Sequence, residues 1–177
     1  MRHLLGVIAA FAIVLWAVTP AHAISLSLDI PYSNTITSTG PGGETYNGES
    51  VGGYIVGIST PWWVGVSHED YQSTISIDVG APTKFELDVS TVMNNVYLEL
   101  PVPVISAAIG YGVGTLTISA SGDSDDYAAT QYFARLGLRL AMMWDVHVGY
   151  HTGTATGSGT NDDLEFTTMT LGVGASF

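Results

Sequence analysis

Apolar and polar residues alternate with a period of two in eight segments of the chain. The last segment shows this most clearly, because every second residue is apolar and the residues between are small or polar; its apolar positions are Met169, Leu171, Val173, Ala175 and Phe177. Such a period is typical of a β-strand with one apolar face. The eight segments begin at Ile24, Tyr54, Trp62, Phe85, Ile105, Ala134, Val146 and Thr168.

The connections between these segments alternate in length. Long connections, rich in small and polar residues, occupy positions 33–49, 70–83, 119–130 and 154–164, and short ones occupy 60–61, 101–103 and 143–145. This alternation predicts an all-β, up-and-down antiparallel arrangement with the long loops at one end and both termini at the other.

Two stretches complicate the count of eight strands. Residues 73–79 also alternate, and the alternation changes phase at Asn94-Asn95. Treating both as turns gives ten strands, two of them shorter than the roughly 9–11 residues that a membrane-crossing strand needs. We therefore predict eight strands, with a long third strand and a bulge near Asn94-Asn95 that turns Val96, Leu98 and Leu100 outward.

The first 23 residues differ from the rest. A short basic start, an unbroken apolar run from Leu4 to Val18 and the small-x-small site Ala21-His22-Ala23 are typical of a secretory signal peptide. The run is shorter than the roughly 20 residues of a spanning helix. We expect cleavage after Ala23 and one domain over 24–177.

Composition narrows the class of protein. The expected mature chain has three cations against sixteen acids, a formal charge of −13. Such a chain lacks the clustered Lys and Arg that nucleic acid requires. Only 11% of residues are charged, 46% are hydrophobic and none is cysteine, so an exported fold would have to hold together without disulfides.

The apolar face of each strand needs an apolar environment. The opposite face is mostly Gly, Ser, Thr and Ala, which suits the interior of a narrow eight-stranded cylinder better than a water-facing sheet. Closure also pairs the edge strands, as a lipid environment demands. We therefore predict a transmembrane β-barrel sealed by its first and last strands.

Aromatic residues are expected to form two belts on this barrel, one at each membrane interface. Trp62, Trp63, Trp144 and Phe177 fall at the short-turn end. The set toward the long-loop end comprises Tyr32, Tyr54, Tyr71, Phe85, Tyr132, Tyr150 and Phe166.

The terminal Phe177, with apolar residues at alternate positions before it, is similar to the C-terminal signature of bacterial outer-membrane barrels. The stretches VISAAIGYGVG, MMWDVHVGYHTG and LGVGASF resemble those of opacity-protein/OmpX-like eight-stranded barrels. This resemblance implies a porin-family fold in the outer membrane of a Gram-negative cell, with periplasmic termini and extracellular loops. It also implies that the assembly machinery reads the terminal strand, and that lipopolysaccharide surrounds a barrel we expect to be monomeric.

Several charged residues share the face predicted to point inward. They are Asp29, Lys84, Glu86, Asp88, Arg135 and Arg139. Charges inside a closed barrel need partners, so we expect the two arginines to pair with Glu86 and Asp88. The alternative is a charged constriction in a channel, which eight strands leave little room to form.

His147 and His151 lie four residues apart on one predicted strand. Both would point inward, but about 13 Å of separation prevents them from binding one metal ion; we expect no metal or cofactor. Some lipid A deacylases carry a His-x-Ser pair at a similar place, whereas His151 is followed by Thr152 and Gly153. The nucleophile of that pattern is missing, so we expect no catalysis.

Most remaining acids fall in the predicted long loops, where they can bind divalent cations at the phosphates of lipopolysaccharide. The sequence thus favours a non-enzymatic outer-membrane barrel that acts in surface interaction, adhesion or envelope maintenance through its acidic loops. A narrow channel for small solutes and, less strongly, a lipid-modifying enzyme stay open.

Overall fold

The computed structural model describes residues 24–39, 43–77, 85–100, 104–120, 122–140, 143–157 and 163–177. The predicted signal peptide lies outside these ranges. None of the described residues forms a helix long and apolar enough to cross a membrane. The strands are β1 (Ser25–Ser38), β2 (Thr45–Asn47), β3 (Ser50–Ser59), β4 (Val64–Ile77), β5 (Phe85–Leu100), β6 (Ile105–Ala120), β7 (Asp123–Leu140), β8 (Trp144–Gly157) and β9 (Asp163–Ser176).

Eight of these strands close into one antiparallel barrel. From β3 to β9 each strand pairs with the next along the chain, and β1 lies between β3 and β9. The β1–β9 ladder extends from Ser25↔Ser176 to Ser38↔Leu164. Beyond it, Ile24 and Phe177 exchange backbone hydrogen bonds of 3.1 and 2.9 Å. The predicted eight-stranded barrel, closed by its first and last strands, is confirmed.

The short strand β2 is the ninth and lies within the predicted first loop. It pairs with β1 through Thr35↔Asn47 to Thr37↔Thr45, above the point where β3 joins β1 at Asp29↔Ile55. Near the start of β3, before it joins β1, Gly53 has a φ of 137°. An added Cβ at this residue would lie 2.4 Å from the Tyr71 Cα. Glycine is therefore required at this position.

Most of the predicted long loops are instead strand. The hairpin of β6 and β7 turns only between Ala120 and Asp123, and β4 continues to Ile77. With its 18 residues, β7 is about 60 Å long, or about 45 Å high after the usual barrel tilt. A membrane needs an apolar band only about 25 Å tall, so the barrel wall extends past such a band.

The polarity of the wall inverts along its height. In the half nearest the termini, the outward side chains are apolar and the inward ones are mostly polar, apart from a small apolar cluster of Tyr97, Ala108 and Phe133. In the half nearest the long-loop end, the outward side chains are mostly polar and the inward ones form an apolar cluster. The buried members of this upper core are Ile36, Ile75, Val89, Met93, Leu116, Ala129, Ala155 and Phe166.

This inversion explains the phase change at Asn94-Asn95, and the predicted bulge there is wrong. Asn94 and Asn95 pair with both neighbouring strands without any shift of register. Val96, Leu98 and Leu100 do face outward, while Val89 and Met93 point inward as part of the upper core. A register shift does occur on β1, between Pro31 and Ser33.

Most of the aromatic residues predicted to form belts lie on the outer wall, but two of them face the lumen. Trp62, Trp63 and Trp144 are exposed at the end that carries the termini, and Tyr54, Tyr132 and Tyr150 are exposed on the outer wall toward the other end. Tyr71 and Phe166, which we expected in the upper belt, are instead buried in the lumen, each 1% exposed. Period-two parity places both on the inward faces of their strands.

Candidate functional site: a filled lumen

A cluster of four charged residues lies in the lower lumen, nearest the termini. His147 lies between two carboxylates, with Nδ1 2.6 Å from Asp145 Oδ1 and Nε2 2.9 Å from Asp29 Oδ1. Both ring nitrogens can donate to these oxygens only when the ring is an imidazolium. Arg135 lies 3.8 Å from Asp29 and donates to Ser27 at 2.9 Å. Two cations thereby balance two carboxylates, as a buried site requires.

Glycines make room for this cluster. An added Cβ on Gly172 would lie 2.3 Å from His147 Nε2 and 2.5 Å from Asp29 Oδ1, and one on Gly174 would lie 2.1 Å from Asp145 Oδ2. The small positions of the terminal LGVGASF segment therefore provide the space in which charged side chains from neighbouring strands meet.

A second polar layer crosses the middle of the lumen around Glu69, which is 0% exposed. Its Oε1 accepts hydrogen bonds from Asn95 at 2.7 Å and Gln131 at 2.8 Å. His151 Nδ1 lies 3.1 Å from the same oxygen, and the His151 ring stacks on Phe133 at 5.0 Å between centroids. Sequence reasoning missed Glu69, although its spacing of two from Ser67 and Gly65 on β4 predicts an inward side chain.

An ion pair lies near the lower mouth of the barrel. Arg139 Nη2 lies 3.5 Å from Glu99 Oε1, and Ser59 donates to Glu99 Oε2 at 2.7 Å. Glu99, which lies on the inward face of β5, is a further residue that sequence reasoning missed.

The predicted partners of the arginines are wrong. Glu86 and Asp88 lie on the outward face of β5 and are exposed, because the phase of that strand continues without a bulge. Arg135 instead pairs with Asp29, and Arg139 pairs with Glu99. Lys84 lies outside the described residues.

The two histidines considered from the sequence as metal ligands or catalytic residues are both buried in the lumen. Within the described ranges, no group of three or more metal-binding side chains has the geometry to hold an ion. His151 is 4% exposed and faces inward, away from any lipid at the outer wall. His147 uses both ring nitrogens on carboxylates, so neither is available as a general base for a serine.

Acidic side chains gather at the opposite end from the termini. Asp123, Asp125 and Asp126 are exposed on the upper part of β7, and Asp163 and Glu165 are exposed on β9. Tyr46 donates a hydrogen bond to Glu44 here, which raises the pKa of the phenol. Several of the acids predicted to lie in loops therefore sit on strand ends; Asp78 and Asp162 lie outside the described residues.

No protein family and no curated protein matches the sequence. Solved structures do match. Ail, the attachment invasion locus protein of Yersinia pestis, is 15% identical with a TM-score of 0.53, covering 89% of this chain and all of its own. Neisserial surface protein A is 10% identical with a TM-score of 0.54, covering 88% of this chain and 99% of its own.

The N-terminal β-barrel domain of Pseudomonas aeruginosa OprF is 12% identical with a TM-score of 0.50, covering 86% of this chain and 97% of its own. These structures share an architecture with the present barrel over most of the chain, at only 10% to 15% sequence identity. The chain therefore has the fold of the small eight-stranded bacterial outer-membrane β-barrels, as its sequence pattern predicts.

Proposed function

We propose that this protein is a non-enzymatic outer-membrane barrel that acts at the cell surface through its acidic end and not through its lumen. One observation carries the proposal: the lumen is packed with side chains along its height. Met93, Leu116, Glu69 and Gln131 are each 0% exposed. A cylinder of eight strands has room for side chains alone, so the surface that remains for function is the outer one.

The distribution of aromatic residues and acids supports an orientation. Trp62, Trp63 and Trp144 lie beside the short turns and the termini, and the acids lie at the other end. Outer-membrane barrels have short periplasmic turns and longer extracellular connections. We therefore assign the termini to the periplasm and the acidic end to the outside.

The negative charge of this end indicates which chemical groups can bind there. Exposed carboxylates suit cationic groups, or the phosphates of lipopolysaccharide when Mg²⁺ or Ca²⁺ bridges them. Ail has been crystallised with the heparin analogue sucrose octasulfate. A polyanion of that kind is a poor partner here, because both arginines of the described chain face the lumen and the chain as a whole has a charge of −12.

Charge-neutralising variants test the proposal. Asp123, Asp125 and Asp126 are changed together to Asn, and the matched control changes the same three to Glu. Attachment of expressing cells to a polylysine-coated surface is compared with that of cells lacking the protein. We expect attachment to fall in the Asn variant and to persist in the Glu variant. Equal attachment by cells with and without the protein contradicts the proposal.

A further inference from the structure

A small polar pocket of about 320 Å³ lies on the barrel wall toward the acidic end, across β3, β4 and β5. Its volume is at the lower end of the range of small-molecule sites. Ser50, Thr74 and Asp88 form one row across the three strands, because each is in register with the next. Gly52 and Gln72, also in register with each other, form a second row of the lining. The pocket is therefore built on paired strands and not on a loop.

The glycine in this lining keeps the pocket open. A Cβ added to Gly52 would meet nothing within 4 Å, so no neighbouring side chain fills the space above its backbone. The φ angle of Gly52 lies outside the left-handed region, and a larger residue can therefore take this position without backbone strain. A larger side chain would fill the pocket and leave the fold intact.

The polar atoms of the pocket mostly accept hydrogen bonds. Thr74 Oγ1 donates to Asp88 Oδ1 at 3.0 Å, so the proton of this hydroxyl is used and its oxygen offers only lone pairs. The carboxylate of Asp88 accepts and does not donate, and the Gln72 amide can offer its carbonyl oxygen. A ligand that matches this set of acceptors has several donors of its own.

Charge selects among the ligands that have donors. Asp88 is the charged residue in the lining of the pocket, and an uncharged hydroxyl would leave it without a counter-ion. A primary ammonium has three N–H donors and no acceptor, which suits one carboxylate among neutral acceptors. A guanidinium gains most from a bidentate contact with both carboxylate oxygens, and Thr74 already donates to one of them. The pocket therefore favours an ammonium over a guanidinium or a sugar.

We propose that the Asp88 pocket binds a primary ammonium group on a flexible chain, either a lysine side chain or one end of a diamine. The inference rests on the proposed function, because it assigns to one pocket the cationic groups that suit the acidic end. Asp88 is exposed, so salt screens the attraction and binding weakens as ionic strength rises.

The test titrates the folded full barrel, labelled with nitrogen-15 in a maltoside detergent, and follows the amide NMR signals of Ser50, Val51 and Gly52. The probes are the blocked tripeptide acetyl-Gly-Lys-Gly-amide, the same peptide with norleucine or arginine in the central place, and cadaverine. Norleucine lacks only the ammonium group of lysine. We expect saturable shifts with the lysine peptide, and none with the norleucine peptide. Tighter binding of cadaverine than of the lysine peptide identifies a free amine as the source of the ammonium, and the reverse identifies a polypeptide.

Two variants change the pocket in different ways. Gly52→Leu fills it, and Asp88→Asn removes its charge. Glu86→Gln is the matched control, because Glu86 is exposed on the same strand, its loss changes the net charge equally, and it does not line the pocket. We expect the affinity for the lysine peptide to fall about tenfold or more in the two pocket variants, as loss of a charged hydrogen bond implies. The control should change it less than about twofold, as expected for a screened surface charge.

Heat-dependent gel mobility shows whether each variant has folded, and Asp88→Asn alone decides the matter if Gly52→Leu does not fold. Absence of saturable binding overturns the proposal, and so does equal binding of the norleucine or arginine peptide. Equal losses in Asp88→Asn and Glu86→Gln also overturn it. The proposed surface role is tested by substitutions on β7 that leave this pocket unchanged, so its failure is distinct from failure of the pocket.

Discussion

His147 on β8 and Asp29 on β1 meet across the strand that separates them, with Nε2 2.9 Å from Oδ1. The intervening residue is Gly172 of β9, which pairs with both of them in register. Three strands that include the first and last of the barrel are thereby joined by a side-chain contact as well as by their ladders.

Removing one charge of this cluster is expected to destabilise the barrel. Asp29→Ala leaves the His147 imidazolium and the Arg135 guanidinium facing a single carboxylate, at a cost of about 3–5 kcal/mol in a dry interior. Asp88→Ala is the control, because Asp88 is exposed on the outer wall, and we expect a change within about 0.5 kcal/mol. Urea unfolding in lipid vesicles, followed by tryptophan fluorescence, measures both. Equal losses would contradict the pairing.

Removing opposite charges together is expected to restore stability. The double variant Asp29→Leu and Arg135→Met keeps His147 paired with Asp145 and leaves no excess charge. Replacement of a buried ion pair by apolar residues of similar volume is often neutral or stabilising, so the loss in the double variant should be smaller than that of Asp29→Leu alone. Additive losses in this double-mutant cycle would show that the two residues do not interact.

Gly172→Ala is expected to disrupt the same cluster without changing any charge. The new methyl group would lie 2.3 Å from His147 Nε2, and overpacking of this kind costs about 1–3 kcal/mol. Gly52→Ala is the control, because an added Cβ there meets nothing within 4 Å. The two variants are compared by urea unfolding. A tolerated Gly172→Ala would mean that the cluster is looser than described.

The upper core gives a prediction about polarity. Met93 is 0% exposed and faces the lumen, whereas its neighbour Val92 faces outward and is 37% exposed. We expect Met93→Ala to cost about 2–5 kcal/mol through the cavity it leaves, and Val92→Ala to cost much less. The free energies of unfolding of the two variants check this. A larger loss for Val92→Ala than for Met93→Ala would mean that Met93 faces outward, as the predicted bulge at Asn94-Asn95 requires.

The sequence predicts the strands and the barrel because period-two alternation survives wherever one face is apolar. It is less reliable about which face points inward. On β5, inward Val89 and Met93 look like outward residues, because the lumen of the upper barrel is apolar and its exterior is polar. Tyr71 was assigned to the upper aromatic belt and Glu69 was given no role, although both side chains are buried in the lumen. The partners of Arg135 and Arg139 depend on register between distant strands, which composition does not encode.

The outward and inward faces of β9 should respond differently to substitution. Leu171 is 58% exposed on the apolar wall and Thr170 is 0% exposed in the lumen. Arg at Leu171 is expected to cost about 2–4 kcal/mol if that position meets the middle of a bilayer, while Thr170→Ser removes only a methyl group. Deletion of Phe177 should also impair assembly. The amount of heat-resistant folded barrel in outer-membrane fractions measures all three, and equal yields would contradict the assignment.

Single-channel recording in planar lipid bilayers tests the filled lumen most directly. The unmodified barrel should show no conductance steps, because Glu69, Met93 and Gln131 close its middle without exposed surface. A triple Ala variant at these positions, provided that it folds, serves as the control that should conduct. Stable open steps from the unmodified protein would contradict the account and indicate a channel in place of a surface protein.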